Sequence, residues 1–134
     1  MVSSFAYLYK RKLYLNMVTG TALSHSVTLN DQLPRNERYE RLSEYIQLIK
    51  ELTAGTRPID FDGQFYKVSG LNLKPRVPQH LIPEFFIAGQ SEAAQLVVET
   101  TGSIGMQMLK PKFEVDLGRA RGIHFGIITR SDNN

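Results

Sequence analysis

The sequence predicts an α/β fold with a mainly parallel sheet, on three observations. Segments with strand and helix patterns alternate along the 134 residues, as they do in layered α/β folds. Residues 13–19 are apolar on both faces apart from Asn16, which is typical of a parallel strand with helices packed outside it. Residues 85–94 pass from an apolar strand pattern through Gly-Gln-Ser into an Ala-rich helix pattern. We find no repeat and no linker, and we predict one domain over residues 1–134.

The first half of the chain predicts a helix, a strand and a second, longer helix. Residues 2–9 are apolar and aromatic without strand alternation, which suits a short helix. The strand that follows ends at Gly20. Apolar residues then recur at helical spacing over residues 39–52. We expect Asn36 to cap this helix and Gly55 to end it.

The second half predicts a hairpin and three further strands. Asp62-Gly63 stands between alternating apolar residues, which is a strong hairpin signal. The remaining predicted elements are a strand at 85–88, a helix at 92–101, a strand at 104–108 and a last strand at 122–129. The hairpin is therefore an insertion between helix and strand in an otherwise alternating chain.

Composition narrows the classes of function. The chain has no Cys, which excludes disulfides and thiolate metal sites and favours a reducing cytoplasm. The net charge of +3 comes from basic residues that are spread along the chain, and nucleic-acid binding would want a denser stripe. No apolar run reaches the roughly 18 residues of a membrane span. We therefore expect neither nucleic acid nor membrane as a partner.

The turn at residues 88–91 (AGQS) is the strongest functional signal. It leads a strand into a helix N-terminus, where unpaired backbone N–H groups and a partial positive charge attract phosphate. The same turn could instead present a nucleophile, since Gly89-x-Ser91-x-Ala93 is one residue short of the hydrolase elbow, with Asp116 and His124 following in order. The third reading is a turn with Ser91 as a plain N-cap.

Five segments in order resemble the luciferase-like, flavin-dependent monooxygenases, most closely the alkanesulfonate monooxygenase branch. They are residues 13–20 (LYLNMVTG), 29–31 (LND), 37–45 (ERYERLSEY), 61–68 (FDGQFYKV) and 86–94 (FIAGQSEAA). The resemblance implies a TIM barrel, which usually needs about 250 residues. It implies that this chain covers about the fourth to seventh strands, with an inserted β-hairpin, and that the other strands lie outside it.

The same resemblance implies the cofactor and the partners. Such enzymes typically use reduced FMN supplied by a separate flavin reductase, together with O₂, to oxidise a small organic substrate. By resemblance, the flavin-binding residues of this chain are Thr19, Tyr39, Ala88, Gly89, Gln90 and Ser91. The family often has Ser where Gln90 stands. The resemblance assigns no catalytic base to this chain.

Simpler interpretations stand beside each of these assignments. Thr19 could merely begin a loop, and Tyr39 could be a core aromatic on the apolar face of its helix. A partial barrel also leaves two sheet edges unpaired and exposes apolar surface. The chain could therefore be a non-catalytic remnant, a self-associating half-barrel, or one half of a barrel that a second polypeptide completes.

Overall fold

A computed structural model describes residues 1–20, 31–108 and 123–126 of the chain. The helices are α1 (Val2–Tyr9), α2 (Arg35–Ala54) and α3 (Glu92–Thr101), and a short 3₁₀ turn covers Gln79–Leu81. The strands are β1 (Tyr14–Met17), β2 (Ile59–Asp62), β3 (Lys67–Leu71), β4 (Glu84–Ala88), β5 (Ile104–Met108) and β6 (Ile123–Gly126).

Four of the strands form one parallel sheet in the order β1-β4-β5-β6. The register sets Met17 opposite Ile87 in β1 and β4, and Ile87 opposite Gly105 in β4 and β5. The strands therefore lie side by side in the order in which the chain reaches them, and all point the same way. This confirms the predicted α/β class and the parallel sheet.

Helices α2 and α3 cover one face of this sheet. The buried core joins Leu42 and Ile46 of α2 to Phe85 and Ile87 of β4. From α3, Ala94 and Val97 complete the core, and the partly buried residues Leu15, Met17, Tyr39, Ile49 and Val98 pack around it. The helical spacing seen in the sequence thus serves to bury one stripe of each helix against β4.

Strand β1 differs from its prediction. It spans four residues rather than seven, and its side chains alternate between exposed and half-buried instead of being buried on both faces. Asn16 is exposed. The physical reason is that the described helices pack on only one face of the sheet, so an apolar residue on the other face has no cover.

The N-cap predicted for α2, Asn36, is wrong, whereas the predicted end of the helix at Gly55 is confirmed. The helix begins one residue before Asn36, with Pro34 at the N-cap position and no side-chain cap. Pro34 has no backbone N–H that could be left unpaired at the start of the helix. Its ring holds φ at −54° next to the first turn. Gly55 does end the helix, and its backbone N–H donates to the carbonyl of Glu51.

Lys50 ties α2 to the far end of α3. Its ammonium donates to the carbonyl oxygens of Thr101, at 2.5 Å, and Gly102, at 3.1 Å. These are carbonyls at a helix C-terminus, where a cation is favoured. Burial lowers the pKa of Lys50 below its ordinary value. This contact joins the C-terminal part of α2 to the C-terminal end of α3.

The predicted hairpin is confirmed as a separate antiparallel pair, β2 and β3. Asp62 pairs with Lys67, so the connection is residues 63–66 rather than a tight two-residue turn. The carboxylate of Glu44 in α2 accepts the backbone N–H groups of Gln64 at 2.8 Å, Phe65 at 2.9 Å and Tyr66 at 2.5 Å. The hairpin tip therefore wraps around one carboxylate of the long helix.

Within the residues that the structure describes, no helix is both long and apolar enough to cross a membrane.

We predict that Glu44→Ala detaches the hairpin from α2. The substitution removes the acceptor of three N–H groups, two of them part-buried. Hydrogen bonds to a charged acceptor contribute about 1.5–3 kcal/mol each, and the freed N–H groups can partly rehydrate. We expect a loss of about 2–4 kcal/mol in the free energy of unfolding, measured by urea denaturation.

The matched control is Glu40→Ala, which removes an exposed carboxylate one turn earlier on the same helix. We expect it to change stability by less than about 0.5 kcal/mol. A side chain at Gly63 tests the same contact, because its Cβ would collide with the Glu44 carboxylate. Gly63→Ala should therefore cost less stability in the Glu44→Ala background. Additive effects of the two substitutions would contradict this account.

Candidate functional site

The carboxyl ends of β1 and β4 lie side by side and form a common rim. The last register pair between them is Met17 with Ile87. Thr19 and Gly89 each follow that pair by two residues, so the chain leaves both strands at the same end of the sheet. In parallel α/β sheets this is the end at which ligands bind. The register therefore brings two predicted site residues, 70 positions apart in sequence, to one rim.

Ser91 caps helix α3, which begins at the rim. Its backbone is extended, and its Oγ accepts the backbone N–H of Ala94 at 3.3 Å. Its carbonyl accepts the N–H of Gln95 at 3.0 Å, which is the first intrahelical bond. The first amides of the helix, those of Glu92 and Ala93, have no intrahelical acceptor. The end of α3 thus offers backbone N–H groups and a partial positive charge to an anion.

Gly89 lets the turn lie tightly against α3. A Cβ at this position would stand 2.8 Å from the Cβ of Ala94, too close for two carbon atoms, and 3.8 Å from the hydroxyl of Tyr39. Any larger residue would have to push the turn away from the helix. The glycine is therefore required by space, and it leaves the backbone accessible to a ligand.

Helix α2 delivers Tyr39 to the same turn. Tyr39 packs against the core with its ring, and its hydroxyl lies 3.5 Å from the Oγ of Ser91, at the outer limit of a hydrogen bond. The sequence left two interpretations of Tyr39, a core aromatic or a site residue. In the structure the ring packs against the core and the hydroxyl lies beside Ser91, so the role of Tyr39 as a site residue stays a prediction.

The other three predicted residues lie at the rim without joining this contact. Ala88 and Gln90 are exposed. Thr19 is half-buried, and its hydroxyl donates to the carbonyl of Gly20 at 3.4 Å. The structure thus brings Tyr39, Gly89 and Ser91 into one cluster, which we call the rim cluster. It places Thr19, Ala88 and Gln90 around that cluster.

Sequence reasoning missed the charges at the start of α2. Arg41 forms a two-pronged ion pair with Asp31, with Nη2 to Oδ2 at 2.5 Å and Nη1 to Oδ1 at 3.3 Å. This pairing lowers the pKa of the Asp31 carboxyl and raises that of Arg41. Arg38 also faces Asp31 electrostatically, and its buried Nε has no hydrogen-bond partner among the described residues. No helical spacing connects Asp31 to these arginines, so periodicity alone could not find the pair.

Among the described residues, no general base lies within hydrogen-bond reach of Ser91. A nucleophilic serine needs a base within hydrogen-bond reach. The Oγ of Ser91 is engaged by the Ala94 amide and the Tyr39 hydroxyl. His124 lies on β6, with β5 between it and β4, and Asp116 lies outside the described residues. Among the described residues there is also no group of ligands that could hold a metal ion.

Comparison with known families identifies the class of protein. Residues 5–114 match the model of the family described as luciferase-like monooxygenase. The chain belongs to this family, as its five ordered segments predicted. The match contains the whole rim cluster and both helices that build it.

Several curated relatives share about a third of the matched residues. One is BtrO of Niallia circulans, named a 4-(gamma-L-glutamylamino)butanoyl-acyl-carrier-protein monooxygenase, with 33% identity over 69% of this chain and 27% of its own length. Others are named F420-dependent glucose-6-phosphate dehydrogenases. That of Mycolicibacterium gilvum is 37% identical over 66% of this chain and 26% of its length. The relative from Mycolicibacterium fortuitum is 39% identical over 61% of this chain and 24% of its own length. The matched part of this chain spans about a quarter of these relatives.

We predict that the Asp31–Arg41 ion pair gives the fold a pH-dependent stability. Because the folded pKa of Asp31 lies below the ordinary value of 3.8, the pair stabilises the fold above that pH. The contribution is lost as the pH falls through the folded pKa. Asp31→Asn should therefore be less stable than the parent at pH 7 and equally stable well below pH 3.8.

Thermal or urea unfolding of both proteins across this pH range tests the expectation. Glu40→Gln is the control, because Glu40 is an exposed carboxylate on α2. Its stability relative to the parent should not change with pH in this way. An Asp31→Asn deficit that persists unchanged at low pH would contradict the ion-pair account.

Proposed function

We propose that this chain carries the phosphate-binding end of an FMN site, and that the complete enzyme oxidises a small organic substrate with reduced FMN and O₂. The observation that carries the proposal is the rim cluster. Two hydroxyls from different helices, Tyr39 and Ser91, lie 3.5 Å apart at the N-terminus of α3. Membership of the luciferase-like family supports a flavin-type cofactor, and the geometry supports its phosphate as the bound group.

The donors at this site fit a phosphate monoester. Ser91 Oγ and Tyr39 Oη can each donate one hydrogen bond, and the first amides of α3 can donate two more. Gly89 keeps the approach to these amides free of a side chain. Glu92 is the one acidic residue in the first turn of α3, and its side chain is exposed, where water screens its repulsion. The four hydrogen-bond donors of the site, two hydroxyls and two backbone N–H groups, outnumber this single carboxylate.

The neighbouring rim residues extend the site toward the flavin ring. Thr19 follows β1 at the same end of the sheet as the rim cluster. Gln90 is exposed beside Ser91 and has an amide that can also donate. We assign Thr19 to the part of the site that binds the flavin ring. We assign Ala88 and Gln90 to the part that binds the phosphate, where the small side chain of Ala88 leaves room at the end of β4.

Reduced FMN would supply the electrons that activate O₂, and a separate flavin reductase would supply the reduced FMN. The residues of this chain would hold the phosphate and orient Tyr39, rather than handle protons in the reaction. No residue in the described part of the chain is assigned as a catalytic base. We expect the substrate to be a small molecule, and the protein to act in the cytoplasm.

Relatives named F420-dependent dehydrogenases match the same segment, which makes F420 an alternative cofactor for this turn. A non-catalytic or self-associating chain is the second candidate function. The hydrolase hypothesis has no such support, because Ser91 acts as an N-cap.

We predict that the chain binds FMN more tightly than riboflavin, because the two differ only in the phosphate. Titration of the purified chain, followed by flavin fluorescence, measures both dissociation constants, and F420 is titrated in parallel. Four phosphate hydrogen bonds predict at least a hundredfold preference for FMN, since one charge-assisted bond contributes about 1.5–3 kcal/mol. Equal binding of FMN and riboflavin would refute the phosphate assignment.

Variants separate the rim cluster from the rest of the fold. Tyr39→Phe should weaken FMN about ten- to hundredfold and leave riboflavin unchanged. Tyr45→Phe is the matched control, because Tyr45 lies on the same helix and its ring contacts Tyr66 of the hairpin. Ser91→Ala should also weaken FMN, with a stability loss of about 1 kcal/mol from the lost cap. Tighter binding of F420 than FMN would show that the cofactor assignment is wrong.

A further inference from the structure

Helix α2 begins without a side-chain cap. Pro34 stands at the N-cap position, and no side chain of the described residues caps the first turn. The first intrahelical bond runs from the N–H of Arg38 to the carbonyl of Pro34, at 3.0 Å. Uncapped helix ends fray, because their first amides lack acceptors within the helix. Tyr39 directly follows that first bond, so its position depends on how firmly this end of the helix is held.

The contact between Tyr39 and Ser91 tolerates little movement. The hydroxyl of Tyr39 and the Oγ of Ser91 lie 3.5 Å apart, at the outer limit of a hydrogen bond. A further shift of the helix by about half an ångström would break the contact. The position of the start of α2 therefore decides whether these two hydroxyls can bind one and the same phosphate.

An ion pair holds this part of α2 from the side opposite Tyr39. Successive residues of an α-helix point about 100° apart, so Arg41 points about 200° away from Tyr39. Tyr39 packs on the core. The guanidinium of Arg41 donates to both carboxylate oxygens of Asp31, which precedes the helix. The first half of α2 is thus held on two nearly opposite sides, by the core and by Asp31.

The geometry of this ion pair fixes an orientation as well as a distance. A guanidinium that donates two parallel hydrogen bonds to one carboxylate has little freedom to turn. The side chains of Asp31 and Arg41 are 25% and 30% exposed, so both are partly shielded from water. The Oδ1 of Asp31 also accepts the backbone N–H of Leu33, at 3.5 Å. The segment before α2 and the helix itself are therefore joined in one arrangement.

The hairpin supports the same stretch of α2. Glu44, one turn after Arg41, accepts the backbone N–H of Tyr66 at 2.5 Å. The ring of Tyr66 lies 5.5 Å from that of Tyr45, and Tyr66 also interacts electrostatically with Arg41. Arg41 therefore interacts with the hairpin tip as well as with Asp31, which restricts the positions that its side chain can take.

We propose that Asp31 and Arg41 are positioning residues for Tyr39. Their ion pair holds the start of α2 where the Tyr39 hydroxyl can bind the same phosphate as Ser91. This inference rests on the proposed function for the ligand, and it deepens that proposal because part of the preference for phosphate then comes from residues outside the rim cluster. Asp31 and Arg41 themselves need not touch the cofactor.

Electrostatics alone predicts the opposite effect of removing the Asp31 carboxylate. The carboxylate interacts with both Arg38 and Arg41, so its neutralisation would make the start of α2 more positive. A more positive helix end attracts phosphate more strongly. Positioning instead predicts weaker binding of phosphate, because the Tyr39 hydroxyl leaves its place beside Ser91. The sign of the change in FMN affinity therefore distinguishes the two effects.

The first test is titration of variants with FMN and with riboflavin at pH 7, followed by flavin fluorescence. Asp31→Asn should weaken FMN about five- to tenfold and leave riboflavin unchanged. Arg41→Lys keeps the charge but loses the two-pronged contact, and should weaken FMN about two- to threefold. Glu40→Gln is the matched control, because it also removes one negative charge from this end of α2. It should not weaken FMN.

A double-mutant cycle shows whether Asp31 acts through Tyr39. In the Tyr39→Phe background, Asp31→Asn should no longer weaken FMN, because the hydroxyl that Asp31 positions is gone. Circular dichroism checks that each variant is folded during the titration. If Asp31→Asn does not fold, Arg41→Lys takes its place in the cycle. Equal losses of FMN affinity in both backgrounds, or an Asp31→Asn chain that binds FMN as tightly as the parent or more tightly, would overturn the proposal.

The second test needs no cofactor. Amide hydrogen exchange followed by NMR reports local opening residue by residue. Asp31→Asn should speed the exchange of the Arg38 and Tyr39 amides about tenfold and leave that of Val97, in the buried core, unchanged. If the parent binds FMN and riboflavin equally, the proposed function fails, and the exchange rates still decide the positioning role. Unchanged rates at Arg38 and Tyr39, or an equal increase at Val97, would refute it.

Discussion

The packing of α2 and α3 on one face of β4 is the interaction on which the rest of the structure depends. Ile46 and Ile87 are the two large side chains of the core that are almost wholly buried, at 0% and 1% exposure. Because such a core is close-packed, the two helices have little freedom to slide along the sheet. Lys50 joins the two helices at their far end, where its ammonium donates to the last carbonyls of α3. The rim cluster is a consequence, because the same packing brings the first turn of α2 to the first turn of α3.

The hairpin depends on the same helix in a different way. It does not join the parallel sheet, and its tip is held by the carboxylate of Glu44, which three backbone N–H groups surround. Helix α2 therefore organises three parts of the molecule along its length. In the first half of the helix, Arg41 pairs with Asp31 and Glu44 binds the hairpin. Near its end, Lys50 donates to the last carbonyls of α3. A helix of 20 residues can do this because the contacts lie at different points along its length.

Membership of the luciferase-like family and the parallel sheet of the described residues are consistent with one physical description. The described strands run in one direction, and helices cover only one of their faces. In a closed barrel the uncovered face would be the packed interior. Tyr14 and Val18 are exposed because they lie on the face of the strand opposite the buried core. The same alternation of side chains along β1 produces both.

The sequence by itself determined the kind and order of the elements. Helical spacing, the Asp-Gly hairpin and the strand-to-helix turn at residues 88–91 are local patterns, and the backbone follows them within a few residues. The ordered motifs also determined the family. Only the tertiary structure decided that the Tyr39 hydroxyl meets Ser91, that Glu44 holds the hairpin, and that Asp31 pairs with Arg41. These contacts join residues 10 to 52 positions apart, and no local propensity specifies them, because they follow from how two helices pack on a sheet.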